Sequence, residues 1–416
     1  MFFIDLRRAG LAIGLSVAIT AQAAETPSQE QMWQIIQQQQ RQIQELQAQL
    51  ANTNEKVEQT DQKVEVAGDM IEQASFSSAS GAGSWTERTR IGGYGEMHYN
   101  NIDSKEELDF HRFVLFFNHD FNDRIKLVSE LELEHAIAGD GQDGEIELEQ
   151  AYVNFSFSDT VASRAGMFLM PVGILNETHE PNTFFGVERN PVERNIIPTT
   201  WWENGADIHG ELAPGLSFDA AVTSGFDVDT TGSKAFLVRD GRQKGSKAKA
   251  DDLAYTGRLK WTGMPGVEFA ASGQYQSDVT QGDLDVSATL LEAHADIRRG
   301  PFGLRALYAR WDLDDDAVID ASDPAAVGRD EQEGWYIEPS LRGTLWNIPG
   351  QLGVFARYSV WDNNAGASND TEFKQLDLGV NYWPIPDVVL KFDVQQQDNE
   401  GNKNDNGYNL GIGYAF

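Results

Sequence analysis

From about residue 86 to the end of the chain, apolar and polar residues alternate with a period of two. In 124–135, Ile125, Leu127, Leu131 and Leu133 lie on one face, and Lys126, Glu130, Glu132 and Glu134 on the other. In 252–262 the faces are Leu253, Tyr255, Leu259, Trp261 against Thr256, Arg258, Lys260. The final segment, 406–416, sets Tyr408, Leu410, Ile412, Tyr414 and Phe416 against Asn409, Gly411, Gly413 and Ala415. A strand shows its two faces alternately, so this pattern predicts strands with one apolar and one polar surface. Segments of this kind recur near 88–99, 109–121, 124–135, 145–157, 161–170, 203–212, 215–225, 252–262, 266–277, 285–299, 302–312, 331–346, 351–361, 372–383, 387–397 and 406–416.

The connections alternate in length. Short ones carry turn chemistry, as at Asn122-Asp123, Ala213-Pro214, Gly263-Met264-Pro265, Gly300-Pro301 and Pro384-Ile385-Pro386. Longer ones fall between them, with 171–202 and 226–251 the longest. About sixteen strands of roughly ten residues, short turns at one end and long loops at the other, predict an all-β, 16-stranded antiparallel transmembrane β-barrel over 86–416. A soluble sandwich would also alternate, but it has no reason to alternate its loop lengths or to end on an aromatic residue.

A different period governs the N-terminal part. Ile36, Ile43, Leu50, Val57, Val64 and Ile71 recur every seventh residue within 24–73, predicting an α-helical coiled coil that seeks partner chains. Residues 74–85 read as a flexible linker. Ahead of the coiled coil, Arg7 and Arg8 precede an apolar run at 11–19 and an Ala21-Gln22-Ala23 cleavage pattern, so 1–23 reads as a signal peptide. The chain would then lie in the outer membrane of a Gram-negative bacterium, its coiled coil in the periplasm.

Composition narrows this picture. A mean hydropathy of −0.44 argues against a bundle of membrane helices. With no cysteine, the fold must hold by pairing and packing. A formal net charge of −33 argues against nucleic acid as a partner. A barrel this wide encloses water, and the inward face carries charge accordingly. Arg112, Lys126, Arg258, Lys260, Arg342, Arg357, Lys391, Glu130 and Glu132 are candidate pore-lining residues. The seven histidines show no paired metal spacing, no Ser-His-Asp set stands out, and no cofactor, metal site or enzymatic activity is expected. Asp312, Asp314, Asp316, Asp320 and Asp323 depart from a calcium loop, with Ala317 where glycine is wanted.

The third long connection is too apolar to wave in solvent, since Phe184, Phe185, Ile196, Ile197, Trp201 and Trp202 need burial. Folding into the mouth would bury them and bring Arg189 and Arg194 to a constriction; alternatively these arginines pair with Glu188 and Glu193 as struts. A basic island at Lys234, Arg239, Arg242, Lys244, Lys247 and Lys249 either steers anions or is an exposed loop. The passage from Ala165 through Gly-Met-Phe-Leu-Met-Pro-Val-Gly-Ile-Leu-Asn-Glu-Thr-His-Glu to Pro181, with Gly186-Val-Glu-Arg-Asn-Pro-Val-Glu-Arg-Asn-Ile-Ile-Pro198 following, resembles the phosphate-selective porin O and P family. The likeness is sharp over 85–225. It implies a trimeric sixteen-stranded channel with an inward-folded third loop and, in anion-selective members, arginines and lysines along the pore. The expected function is passive diffusion of small hydrophilic solutes, phosphate among the candidates, by a homotrimer in contact with lipid and lipopolysaccharide. The second reading is an envelope tether whose coiled coil engages peptidoglycan or another envelope protein.

Overall fold

A computed structural model describes residues 85–416, apart from positions 137–143, 283, 315–317, 319–323, 346–347 and 400–403, together with Trp33. The signal peptide, the heptad seam, the linker and most of the aspartate run at 312–323 lie outside the described residues.

After a helical turn at Trp85–Arg88 come β1 (Thr89–Ile102), β2 (Lys105–Asp120), β3 (Ile125–Glu134), β4 (Ile146–Ser156), β5 (Val161–Leu169), β6 (Trp202–Ala213), β7 (Leu216–Thr223) and β8 (Ala254–Met264). They are followed by β9 (Val267–Gln276), β10 (Ser287–Arg299), β11 (Phe302–Asp314), β12 (Glu331–Gly343), β13 (Gln351–Asp362), β14 (Phe373–Ile385), β15 (Val388–Asn399) and β16 (Gly407–Ala415). Each strand pairs antiparallel with its sequence neighbours, and β1 pairs with β16, so the sixteen close into a barrel without an edge.

The polarity is that of a barrel in lipid. On β8, Tyr255 and Leu259 are 56% and 54% exposed, whereas Arg258 between them is 7% exposed. On β15, Leu390, Phe392 and Val394 face out, while Lys391, Asp393 and Gln395 are buried inside. An apolar outer band with a polar interior suits a hydrocarbon surround and is unfavourable in water.

Turns of two residues join β6 to β7, β8 to β9, β10 to β11 and β14 to β15 at one end. At the other end lie residues 170–201 (loop 3), between β5 and β6, and 224–253 (loop 4), between β7 and β8. The first connection at this loop end is shorter than the sequence pattern suggests. β1 and β2 stay paired through Asn100–Glu107, Asn101–Glu106 and Ile102–Lys105, leaving Asp103 and Ser104 as the turn. Polar residues end the apolar band there, but they do not end the hydrogen-bonded ladder.

Two irregularities aim side chains inward. A bulge on β2, between the pairs Glu96–Arg112 and His98–Asp109, lets His111 and Arg112 both turn toward the lumen. A second, at Glu149 on β4, buries that carboxylate beside Glu130.

Candidate functional site: a constriction built from two loops

Loop 3 enters the barrel because it carries its own apolar core. Val172, Leu175, Phe184, Val192, Ile196, Ile197 and Trp201 are each less than 5% exposed and pack with Phe226, Val228 and Val238 of loop 4 and Trp311 of β11. Its base is stitched by Asn176, whose Nδ2 donates to the carbonyls of Met170 and Trp201 at 2.8 and 2.9 Å while its Oδ1 accepts from Trp201 N–H at 2.7 Å. Glu193 ties a second part of the loop back, its Oε1 accepting the N–H groups of Ile174 and Leu175 and its Oε2 that of Asn190 Nδ2.

From this base the loop crosses the lumen. Asn381 of β14 donates to Phe184 O at 3.2 Å, Arg357 of β13 to Phe185 O at 3.3 Å, and Val187 N–H donates to Asp393 of β15 at 2.6 Å. Strand β13 is half the ring away from β5, where the loop starts. On β16, Gly411 and Gly413 leave room for Val187 and Pro181; a Cβ at Gly413 would meet Pro181 at 2.4 Å. On the near side Arg112 donates to His179 O at 2.8 Å, and the His179 ring faces Glu130 and Glu149 at 3.6 and 3.4 Å. Burial alone would lower the His179 pKa, but the two carboxylates raise it to about 9.

Five of the wall arginines are neutralised. Arg112 pairs with Glu96 at 2.5 Å and approaches Glu132 at 3.8 Å. Arg164 pairs with Asp207 at 2.6 Å, Arg258 with Asp219 at 2.9 Å and with Glu177, Arg305 with Asp296 at 3.0 Å, and Arg357 with Glu338 and Asp377 at 3.2 and 3.0 Å. Lys126 stands near the short-turn end, 3.9 Å from Asp120. Lys260 is half-buried on the inner face of β8. Lys391 is covered by loop 3, its Nζ 3.6 Å from the centre of the Phe184 ring. Arg342 stacks on Trp383 at 3.7 Å and lines a cavity of about 180 Å³ beneath loop 3, together with Phe184, Phe185, Asp296 and Arg298.

The mouth arginines are different. Arg189 and Arg194 of loop 3 and Arg239 and Arg242 of loop 4 have no carboxylate within 4.0 Å among the described residues. Glu188 is instead engaged by His98 and Asn100, and Glu193 by the loop backbone, so neither acts as a strut for the arginines. Arg242 donates to Pro198 O and Thr200 O, and Arg189 to Thr200 Oγ1. Burial, with Arg239 adding its repulsion, brings Arg242 down to about 10; burial, with repulsion from Arg112, lowers Arg189, and burial lowers Arg239 even though Asp240 partly offsets it. Three of the four neighbouring lysines of the basic island do have acids: Lys234 with Asp240 at 3.5 Å, Lys244 with Glu145 at 3.2 Å, and Lys249 with Asp227 at 2.8 Å. Arg239 and Arg242 were thus legible as a basic island, but their inward placement depends on the core that loop 4 shares with loop 3.

A closed sixteen-stranded barrel with apolar outside, charged inside and a loop folded across its lumen is an outer-membrane channel of the porin type. The chain belongs to the phosphate-selective porin O and P family, whose model matches residues 88–410. It is 32% identical to an uncharacterized protein of Aquifex aeolicus (strain VF5) over 348 residues, covering 78% of this chain and 79% of that one. Among solved structures, an anion-selective porin from Comamonas acidovorans is similar at a TM-score of 0.54 and 15% identity, with 79% of this chain and 99% of that one covered. The outer membrane channel DcaP of Acinetobacter baumannii matches at 0.51 and 14%, covering 79% and 97%. In-vitro folded OmpT of Vibrio cholerae, in its trimer form, matches at 0.51 and 12%, covering 79% and 99%. The protein is a channel for small solutes in the outer membrane.

Proposed function

We propose that the protein is a passive diffusion channel with a preference for small anions, inorganic phosphate among them. The observation that carries this reading is the set of four mouth arginines without carboxylate partners, beside five wall arginines, Arg112, Arg164, Arg258, Arg305 and Arg357, that are each paired with an acid. Fixed cations partly shielded from water attract anions more strongly than solvated ones do, and a charged ring in a narrow passage sets ion preference. Arg189 and Arg194 are the selectivity residues on loop 3, with Arg239 and Arg242 completing the set from loop 4. The paired residues Arg112, Arg258 and Arg357, with Glu130 and Glu132, hold the loop and the wall in shape around them. Export by residues 1–23, a coiled coil over 24–73, a linker over 74–85 and a homotrimer of barrels complete the proposal. It rests on the heptad seam Ile36, Ile43, Leu50, Val57, Val64 and Ile71 and on the trimer form of one structural relative.

The test is conductance across a planar bilayer in KCl, before and after addition of inorganic phosphate. Steady single-channel steps, with chloride current falling as phosphate enters the mouth, are expected. An absence of steady steps overturns the channel; a chloride current indifferent to phosphate overturns phosphate as a solute.

A further inference from the structure

Three of the chain's seven histidines meet on the inner wall near the loop end of the barrel, although they stand far apart in sequence. The β2 bulge turns His111 inward, where its ring stacks on His98 at 4.7 Å between centroids. His135 follows the last residue of β3; its backbone, at φ +52°, turns back so that its N–H donates to His111 O at 2.9 Å. The two rings then meet edge to face at 5.6 Å. Between them lies Asp109, with His135 Nδ1 at 2.8 Å and His111 Nδ1 at 3.3 Å from the same carboxylate oxygen, Oδ2. The three potential donor atoms all lie within 4.8 Å of one another.

We propose that Asp109, His111 and His135 bind a divalent transition-metal ion, Zn²⁺ being the best fit, on the barrel wall above the constriction. A tetrahedral ion with bonds of about 2.0–2.2 Å holds its ligands roughly 3.3–3.5 Å apart, a spacing that His111 already keeps from Asp109 at 3.3 Å and that His135 reaches by moving out slightly from 2.8 Å. Two imidazoles with one carboxylate favour zinc, copper or nickel over magnesium and calcium, which prefer oxygen alone. The three side chains are 31, 20 and 39% exposed in the order His111, Asp109, His135, so the fourth position opens to water in the mouth. Behind them His98 is fixed by Glu96 at 3.1 Å and Glu188 at 3.2 Å, and it backs the His111 ring as an outer support. Glu134, Glu145 and Glu147 cluster nearby on β3 and at the start of β4 with Lys244 as the cation paired to them, so the local field draws cations toward the site. The buried Glu130, Glu149 and His179 group is a separate arrangement, serving to anchor loop 3. This site stands on the wall of β2 and β3 and does not depend on which ion the pore prefers.

The test uses the purified full-length protein, stripped with a chelator, titrated with ZnSO₄ by calorimetry and separately with Co²⁺ followed by visible absorption. One Zn²⁺ per chain is expected. Its affinity should fall at least about 100-fold in the His111→Gln/His135→Gln double variant and about 10-fold or more in Asp109→Asn, while His119→Gln, on β2 near the opposite end, leaves it unchanged. Retention of the native barrel's heat-modifiable gel mobility shows that the variants are folded. In the unsubstituted protein, Co²⁺ should give the intense visible bands of a low-coordinate site containing nitrogen, which keeps the test valid if a variant misfolds. Zn²⁺ binding that is unaffected by both ligand variants overturns the proposal. So does an absence of saturable binding, equal competition by Mg²⁺, or a weak octahedral Co²⁺ spectrum.

Discussion

Charge in this lumen has to be read residue by residue. Arg357 lies between Glu338 and Asp377 and adds nothing to the field seen by a passing ion, whereas Arg242 touches carbonyl oxygens and keeps its charge uncompensated by an acid. His179 is a third case, a loop cation locked between two wall carboxylates. Its pKa, raised from 6.5 to about 9, means that the anchor is fully present below about pH 6.5 and is lost as pH rises through about 9. Loop 3 should therefore become more susceptible to proteolysis, and single-channel noise should rise, above pH 9. His179→Phe should show the looser behaviour at every pH; a noise level independent of pH in the unsubstituted protein would contradict this.

At the scale of elements, the strands were legible because lipid and lumen demand opposite surfaces and a strand shows them alternately. The closed ring, the number of strands and the two long loops follow from that demand. Parity breaks were not legible: one extra residue on β2 turns His111 and Arg112 inward together, and a reading based on strict alternation cannot see it. Nor was the turn at Asp103-Ser104, because polar side chains mark the end of the apolar band and say nothing about the ladder. Loop 3 was legible from its aromatic content as a segment needing burial, but its landing place was not, since that depends on absent side chains at Gly411 and Gly413. Replacing Gly413 with Leu should displace Pro181 and change the conductance while the barrel still folds; an unchanged conductance would refute this packing. Asn176→Ala removes three hydrogen bonds at the loop base, a loss of about 2–3 kcal/mol of local stability at about 1 kcal/mol each. Faster hydrogen exchange confined to residues 170–201 is the expected readout, and exchange rates like those of the parent protein would count against it.

For the molecule as a whole, net charge is a poor guide to selectivity. The chain carries −33 overall, yet much of the acid in the described lumen is spent on wall arginines and on loop backbone, and the four arginines of the mouth keep no carboxylate partner among the described residues. The heptad seam belongs to the same scale. If it joins three barrels, deleting 24–73 should lower the trimer's melting temperature while leaving the barrel's strand content intact; an equal melting temperature would give the helix a different role. The central claim, an anion-preferring channel, is tested most directly by the zero-current potential across a bilayer separating concentrated from dilute KCl. The predicted sign is that of chloride permeating faster than potassium, shifting toward potassium when Arg189, Arg194, Arg239 and Arg242 are replaced together by Gln. A potassium-selective sign in the unsubstituted protein, or a chloride preference that survives the fourfold replacement, would contradict the account.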